Sequence, residues 1–196
     1  KVSLRHPLML PKLAIVDPQL TYELPPEITA TTGLDALTQL IEPFTCNRAN
    51  PITDALCREA IPRAARSLQR ACENPTPAVR EDMALASLYG GLALANSGLG
   101  AVHGFAAPIG GMLEAPHGAV CAALLPHVMA ANLKALPEEN RYTETAHLLT
   151  GNSNVSPEEG INWIKNLVEK LNIPGLSTYG ITENDFPSII EKALGA

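Results

Sequence analysis

The sequence predicts a mostly α domain that is preceded by one short N-terminal strand. From Pro25 onward, apolar residues recur at helical spacing in a series of segments, with Pro and Gly between them. Before Pro25 there is one short apolar run, LAIV at residues 13–16, which Pro11 and Asp17-Pro18 enclose. Hydrophobic residues make up 46% of the 196 residues and charged residues 17%, so the chain can bury a sizeable core.

The LAIV run is typical of a buried strand in a parallel sheet. A single strand cannot satisfy its own backbone hydrogen bonds, and no comparable run follows. We therefore expect its sheet to lie in a missing N-terminal α/β domain. The chain begins at Lys1 rather than Met, so we expect a piece of a longer protein. Residues 1–24 are predicted as an interdomain strand and linker, and residues 25–196 as the helical domain.

The helical segments follow one another along the rest of the chain. Pro25 and Pro26 suit the start of the first helix, and Pro43 is expected to end or kink it. Gly90 and Gly91 lie inside the third helix, where we expect them to permit close packing by a neighbour. The predicted helices cover residues 26–44, 51–73, 77–97, 118–134, 137–149, 157–172 and 182–194, and a glycine-rich stretch occupies 98–118.

Charge and hydropathy argue against binding to nucleic acid or membrane. The net charge is −6, and the nearest thing to a basic cluster, Arg63, Arg66 and Arg70, has the helical spacing of a solvated face. No uninterrupted apolar run reaches the roughly 18 to 20 residues that span a bilayer.

Four cysteines, at positions 46, 57, 72 and 121, show no CxxC pairing. We expect them to be reduced, buried thiols. No signal peptide is visible at the first residues, so a cytoplasmic protein is the expectation.

Two parts of the helical region could carry chemistry. Asp35 and Gln39 are four residues apart, so they share one helix face that borders apolar residues. His103 and His117 lie in one glycine-rich stretch, where small neighbours let a ligand approach closely. An aspartate with two imidazoles is a plausible ligand set for Zn²⁺ or Fe²⁺. The alternatives are an exposed helical Asp35 and two histidines buried in the core.

Three strings carry a family resemblance. ATTGLDALTQLIEPF resembles the aspartate-bearing helix of the iron-containing (group III) alcohol dehydrogenases, and GLGAVHGFAAPIGGMLEAPHGAVCAALLPHVMAAN resembles their glycine-rich signature. The opening PKLAIVDPQLT is similar to the strand that leads into their helical domain. The resemblance covers most of residues 11–133. It implies a dehydroquinate synthase-like fold, in which an N-terminal nucleotide-binding domain and a C-terminal multi-helix domain enclose the active site.

The resemblance also implies residue roles. The expected metal ligands are Asp35, His103 and His117, and Gln39 stands where the family has a fourth ligand, a histidine. An amide oxygen is a weaker ligand than imidazole, so the metal, Fe²⁺ or Zn²⁺, stays open. NAD(P) is expected to be held mainly by the absent domain, with Thr21 at the domain junction near the nicotinamide.

The implied activity is metal-dependent transfer of hydride between a small alcohol or aldehyde and NAD(P), with this piece inactive alone and the enzyme a homodimer or higher homo-oligomer. Two departures from the family keep an alternative open: Gln39, and Ala107 where many members have a second signature histidine. That alternative is a redox-inactive relative that uses the helical domain as a scaffold or binding module. At Cys121 many relatives carry Asn, and a buried small residue is the favoured interpretation there.

Overall fold

A computed structural model describes residues 6–136 and 141–195 and contains eight α-helices in those ranges. They are α1 (Pro26–Thr45), α2 (Pro51–Glu73), α3 (Pro77–Ser97), α4 (Ala101–Met112), α5 (His117–Ala135), α6 (Arg141–Thr150), α7 (Pro157–Lys170) and α8 (Phe186–Leu194). Short 3-10 turns cover Pro7–Met9, Pro18–Thr21, Leu176–Tyr179 and Glu183–Asp185. The predicted mostly α fold is confirmed.

Helix α1 lies at the centre of the domain. It packs against α2, α3, α5 and α6. A helix that is apolar around most of its circumference is buried on most sides, and α1 has that character. Its large apolar side chains that are fully buried are Leu34, Leu37, Leu40, Ile41 and Phe44. The position of any residue on α1 is therefore fixed by several neighbours at once.

The helix ends carry clear local signals. Asn50 and Thr53 form a capping box at the start of α2, and Ser156 and Glu159 form another at the start of α7. The Thr76 hydroxyl caps α3. A proline occupies the first helical position in each of these three helices, where its missing N–H costs nothing. Local sequence therefore sets where these helices begin.

The predicted strand does not form within the described residues. Residues 13–17 have no regular secondary structure, and Leu13 and Ile15 are 75% and 80% exposed. A strand exists only when a neighbouring strand accepts and donates its hydrogen bonds, and the described residues provide none. The apolar run is thus left on the surface of this domain.

Helix α4 was not predicted, because its sequence is poor in helix formers. It contains three glycines and Pro108, which weaken or interrupt an isolated helix. Packing against α5 and α8 stabilises it. Tertiary contact thus overrides a local preference against helix.

Three smaller differences concern helix ends and packing. Pro43 does not end α1, which continues to Thr45, and the last helix begins at Phe186 rather than 182. The predicted start at residue 137 lies outside the described residues. A methyl group on Gly90 would approach Gln39 Cβ to 3.3 Å, as expected of a close helix contact, whereas Gly91 has no such neighbour within 4 Å.

Helix α5 is long and apolar enough to cross a membrane by length and composition alone, and α3 with α4, bent by 100°, also passes that test. In this fold α5 packs against α1, α4 and α7 and carries buried residues along its length. These are the contacts of a core helix.

The cysteines and the arginine face also have defined environments. All four cysteines are free, in agreement with the prediction of reduced thiols, although Cys46 and Cys72 are half-buried rather than buried. Arg63 and Arg66 both bind the Asp82 carboxylate of α3, so the arginine face is ion-paired at the α2–α3 interface.

Candidate metal centre

One face of α1 presents three polar side chains in a row. Asp35, Gln39 and Glu42 are four and then three residues apart, which places them on successive turns of the same side. The Gln39 amide donates Nε2–H to Asp35 Oδ2 at 3.1 Å. The side-chain exposure of Asp35 is only 19%, so this carboxylate needs partners of opposite charge or good donors.

Glu42 joins α1 to the start of α4. One carboxylate oxygen accepts the Val102 N–H at 2.7 Å, and the other accepts the ring Nδ1–H of His103 at 2.6 Å. The first N–H groups of a helix lack partners inside that helix, so Glu42 acts as a cap for α4. A side chain at Gly100 would collide with this carboxylate, with its Cβ 2.8 Å from Oε1. Glu42 therefore fixes both the helix end and the orientation of the His103 ring.

The second ring nitrogen of His103 faces Asp35. His103 Nε2 lies 3.2 Å from Asp35 Oδ1, and His117 Nε2 lies 3.9 Å from the same oxygen. The two ring centroids are 5.4 Å apart, with the planes inclined by 54°. His103 is 10% exposed at its side chain and His117 is 48% exposed, so the site is closed on the α4 side and open at the start of α5.

Close approach of α5 to α1 brings His117 into place. A Cβ on Gly118 would overlap the Thr31 carbonyl oxygen and come within 2.7 Å of its carbon. Thr31 lies one turn before Asp35 on α1. Only a glycine at position 118 lets the two backbones meet here without a shift, and that contact sets the distance between His117 and Asp35.

Cys121 completes the group. It lies one turn after His117 on α5, and its Sγ is 3.6 Å from His117 Nε2 and 3.8 Å from His103 Nε2. The residue is fully buried. One ligand atom from each of Asp35, His103, His117 and Cys121 lies within 4.8 Å of the others.

The charges of the cluster favour a cation at its centre. Burial by itself lowers the pKa of His103, but hydrogen bonds to Asp35, Cys121 and Glu42 outweigh it and raise that pKa to about 11. Burial by itself raises the pKa of Asp35, but its hydrogen bond to His103 and the positive charges of His117 and His103 lower that pKa below its usual range. The electrostatics of the site therefore stabilise positive charge between two carboxylates.

The interatomic separations fit a bound transition-metal ion. Zinc bonds of about 2.0–2.1 Å to nitrogen or oxygen and about 2.3 Å to sulfur, in tetrahedral geometry, place neighbouring ligand atoms roughly 3.3–3.6 Å apart. Four of the six separations among these ligand atoms run from 3.2 to 3.9 Å, and all six are within 4.8 Å. The residues present fit such an ion with only small movements.

Residues 29–196 match the family described as Fe-containing alcohol dehydrogenase family, C-terminal. The chain belongs to this family. It is 41% identical to the 1,3-propanediol dehydrogenase of Klebsiella pneumoniae over 192 residues, which cover 94% of the chain and 49% of that enzyme. The chain thus spans about half the length of the curated relatives it matches.

Solved structures of the family have the same helical arrangement. The alcohol dehydrogenase from Oenococcus oeni is 38% identical, with a TM-score of 0.85 over 91% of the chain and 48% of that enzyme. The sulfoacetaldehyde reductase from Bifidobacterium kashiwanohense, solved with NAD+, is 30% identical, with a TM-score of 0.82 over 93% of the chain and 48% of that enzyme.

Within this Fe-containing alcohol dehydrogenase domain, the three residues that the resemblance implied as metal ligands lie close together. They are Asp35, His103 and His117. Gln39 lies at the edge of that cluster and donates its amide to Asp35. Thr21 lines a different cleft, between the Pro18–Thr21 turn, α1 and α3, and its hydroxyl donates to the Pro18 carbonyl at 2.7 Å. The roles of Gln39 as a ligand and of Thr21 as a cofactor contact stay predictions.

Sequence reasoning missed two residues of the centre. Glu42 was not singled out, although it lies seven residues after Asp35 and so on the same helix face. Cys121 was interpreted as a small buried residue, and it is buried, but it also contacts both imidazoles. Its spacing of four residues from His117 was the available signal.

Proposed function

We propose that the protein containing this chain is a metal-dependent, NAD(P)-linked oxidoreductase acting on small alcohols or aldehydes. The observation that carries the proposal is the convergence of Asp35, His103 and His117 at separations that suit Fe²⁺ or Zn²⁺. Family membership supports it, since the relatives include a 1,3-propanediol dehydrogenase and a reductase solved with NAD+.

In this proposal the chain's own residues hold and orient the ion. Asp35 supplies a carboxylate oxygen, and the two imidazoles supply Nε2 atoms. Glu42 accepts the other ring N–H of His103, which fixes the ring and increases its strength as a ligand. The bound ion would stabilise negative charge that develops on a substrate oxygen. The half-exposed side of His117 is where a substrate would enter.

The remaining parts of the proposal concern partners. NAD(P) would be held mainly by an N-terminal nucleotide-binding domain, with residues 1–24 as the linker and Thr21 near the nicotinamide. The 196-residue chain would then be inactive alone. We also propose that the protein is cytoplasmic and that it forms a homodimer or a larger homo-oligomer. Light scattering on the purified full-length protein would test the oligomer.

The decisive experiment uses the full-length protein, with metal analysis and NAD(P)-linked turnover on a panel of short-chain alcohols and aldehydes. We expect about one bound ion per chain and turnover with at least one substrate. His117→Ala should remove the ion and leave the helical circular dichroism unchanged, and His127→Ala, an exposed histidine on α5, is the matched control. A metal-replete enzyme without any nicotinamide turnover would reject this function.

One alternative has specific support. Ala107, exposed on α4, provides no proton-transferring group where many relatives carry histidine, and Gln39 replaces a histidine ligand. A redox-inactive binding module would retain the fold and the cluster but show no turnover, so the same panel separates the two functions.

A further inference from the structure

We propose that Cys121 is the fourth metal ligand of this chain, in place of the histidine that Gln39 replaces. The centre would then hold its ion through one oxygen, two nitrogens and one sulfur. This inference rests on the proposed function, because it requires an ion at the Asp35, His103 and His117 cluster.

Two interatomic distances support Cys121 as a metal ligand. Its Sγ lies 3.6 Å from His117 Nε2 and 3.8 Å from His103 Nε2. A tetrahedral ion with nitrogen and sulfur ligands places these atoms roughly 3.6 Å apart. The separations from the sulfur to both ring nitrogens are thus close to those expected between two ligands of one ion.

The backbone also places Cys121 firmly. It lies one turn after His117 on α5, so both side chains leave the same face of one helix. The helix is held to α1 at Gly118 and Thr31, and Cys121 itself is fully buried in the core. A ligand held in this way needs little reorganisation when the ion binds.

Gln39, unlike Cys121, is placed to contact a ligand rather than to act as one. Its Nε2 faces Asp35 Oδ2 at 3.1 Å, so the amide donates a hydrogen bond to a ligand. We therefore assign Gln39 to positioning Asp35. The prediction that Gln39 is itself a ligand is the direct competitor, and the variants below separate the two.

A sulfur ligand changes the metal that the site prefers. Thiolate is a soft ligand that suits Zn²⁺, whereas a set of oxygen and imidazole ligands also suits Fe²⁺. On binding, the thiol proton passes to solvent as the sulfur–metal bond forms. We therefore expect Zn²⁺ to be the ion of this centre.

The test uses Co²⁺ as a spectroscopic probe of the purified protein. Thiolate bound to Co²⁺ gives an intense near-ultraviolet charge-transfer band that oxygen and nitrogen ligands do not give. We expect this band in the unaltered protein and its loss in Cys121→Ser. Cys46→Ser, which changes a half-buried cysteine elsewhere, and Gln39→Ala should both retain it.

Zinc affinity gives a second readout. Removal of a ligand-positioning partner weakens metal binding by roughly 10–100-fold, which is the loss expected for Gln39→Ala. Cys121→Ser should weaken Zn²⁺ binding by more than about 100-fold, because a ligand itself is lost. X-ray absorption of the unaltered Zn²⁺ protein needs no variant, and it should show one sulfur at about 2.3 Å.

The outcomes are distinct. One possible result is a protein that binds one ion per chain and loses it in His117→Ala. If X-ray absorption of that protein shows no sulfur neighbour, or if its charge-transfer band persists in Cys121→Ser, this inference is wrong and the proposed function still stands. An unaltered protein that binds neither Co²⁺ nor Zn²⁺ overturns both proposals.

Discussion

The domain contains two carboxylates that are similarly enclosed but differently satisfied. Asp82, at the α2–α3 interface, is 14% exposed at its side chain and accepts hydrogen bonds from Arg63, Arg66 and Ser67. Asp35, where α1 meets α4 and α5, is 19% exposed and faces the rings of two histidines.

The difference between these two regions lies in where the positive charge comes from. An enclosed carboxylate needs a nearby cation or strong donors to offset its lost hydration. Arginines are always charged, so the protein itself satisfies Asp82. Imidazoles gain and lose a proton, so around Asp35 the positive charge is exchangeable and a metal ion can take its place. The first arrangement stabilises the fold, and the second is the one that would hold an ion under the proposed function.

The largest expected effect separates the two aspartates directly. Asp35→Asn should abolish stoichiometric metal binding, with a loss larger than the roughly 10–100-fold that an outer partner causes. Asp82→Asn should leave metal binding unchanged, because its neighbours are arginines rather than ligands. Metal titration of both variants measures this. Equal losses in the two variants would contradict the division drawn here.

The next effect concerns how the Asp35 region is assembled. Gly118→Ala should destabilise the domain by about 1–3 kcal/mol and weaken metal binding, because its methyl group collides with the Thr31 carbonyl. Gly91→Ala is the control: nothing lies within 4 Å of the added methyl, so we expect about 0.5–1 kcal/mol of stabilisation. Denaturant unfolding measures both. If Gly91→Ala destabilised the domain, or if Gly118→Ala changed neither stability nor metal binding, the close backbone contact between α1 and α5 would not be what controls this region.

Substitution of Glu42 tests whether metal binding near Asp35 depends on the carboxylate that positions the His103 ring. Glu42→Gln keeps an oxygen for the Val102 N–H but removes the charge that faces His103 Nδ1. We expect metal affinity to fall by roughly 10–100-fold while the helices remain intact. The matched variant is Glu23→Gln in the exposed segment before α1, which should have no effect. Unaltered affinity in Glu42→Gln would rule out a positioning role for this carboxylate.

The smallest effect is the acid dependence of the Asp82 region. Burial by itself raises the pKa of Asp82, but hydrogen bonds from Arg66, Ser67 and Arg63 lower it below the ordinary value of 3.8. A carboxylate with a lowered folded-state pKa contributes stability above its unfolded value, and that contribution is lost as the pH falls through the folded-state pKa.

The metal-free protein should therefore lose unfolding free energy as the pH falls below about 3.8, and Asp82→Asn should lose less over that range. At neutral pH the same substitution should cost about 1–2 kcal/mol. Glu81→Gln, exposed at the neighbouring position, is the control. Identical acid slopes in the unaltered protein and Asp82→Asn would contradict this account. Urea unfolding at several pH values provides the data.

Local sequence was sufficient for most of the helices. The starts of α2, α3 and α7 follow from a capping residue and a proline, which act over a few neighbouring positions. The motif resemblance pointed to Asp35, His103 and His117, and the structure brings these three together. By contrast, α4 could not be predicted, because its glycines and Pro108 oppose helix and only packing against α5 and α8 stabilises it.

The helical class, most helix boundaries and three side chains of the candidate centre could be predicted from the sequence, because they depend on local patterns and short motifs. Helix packing was needed to show that Glu42 accepts the His103 ring N–H and that Cys121 lies beside both imidazole rings. The contact between Glu42 and His103 joins residues that are 61 positions apart in the chain. These contacts exist because α5 packs on α1 and α4 packs on α5. The LAIV run shows the same dependence in reverse: its pattern predicts a strand, but without a partner strand among the described residues none forms.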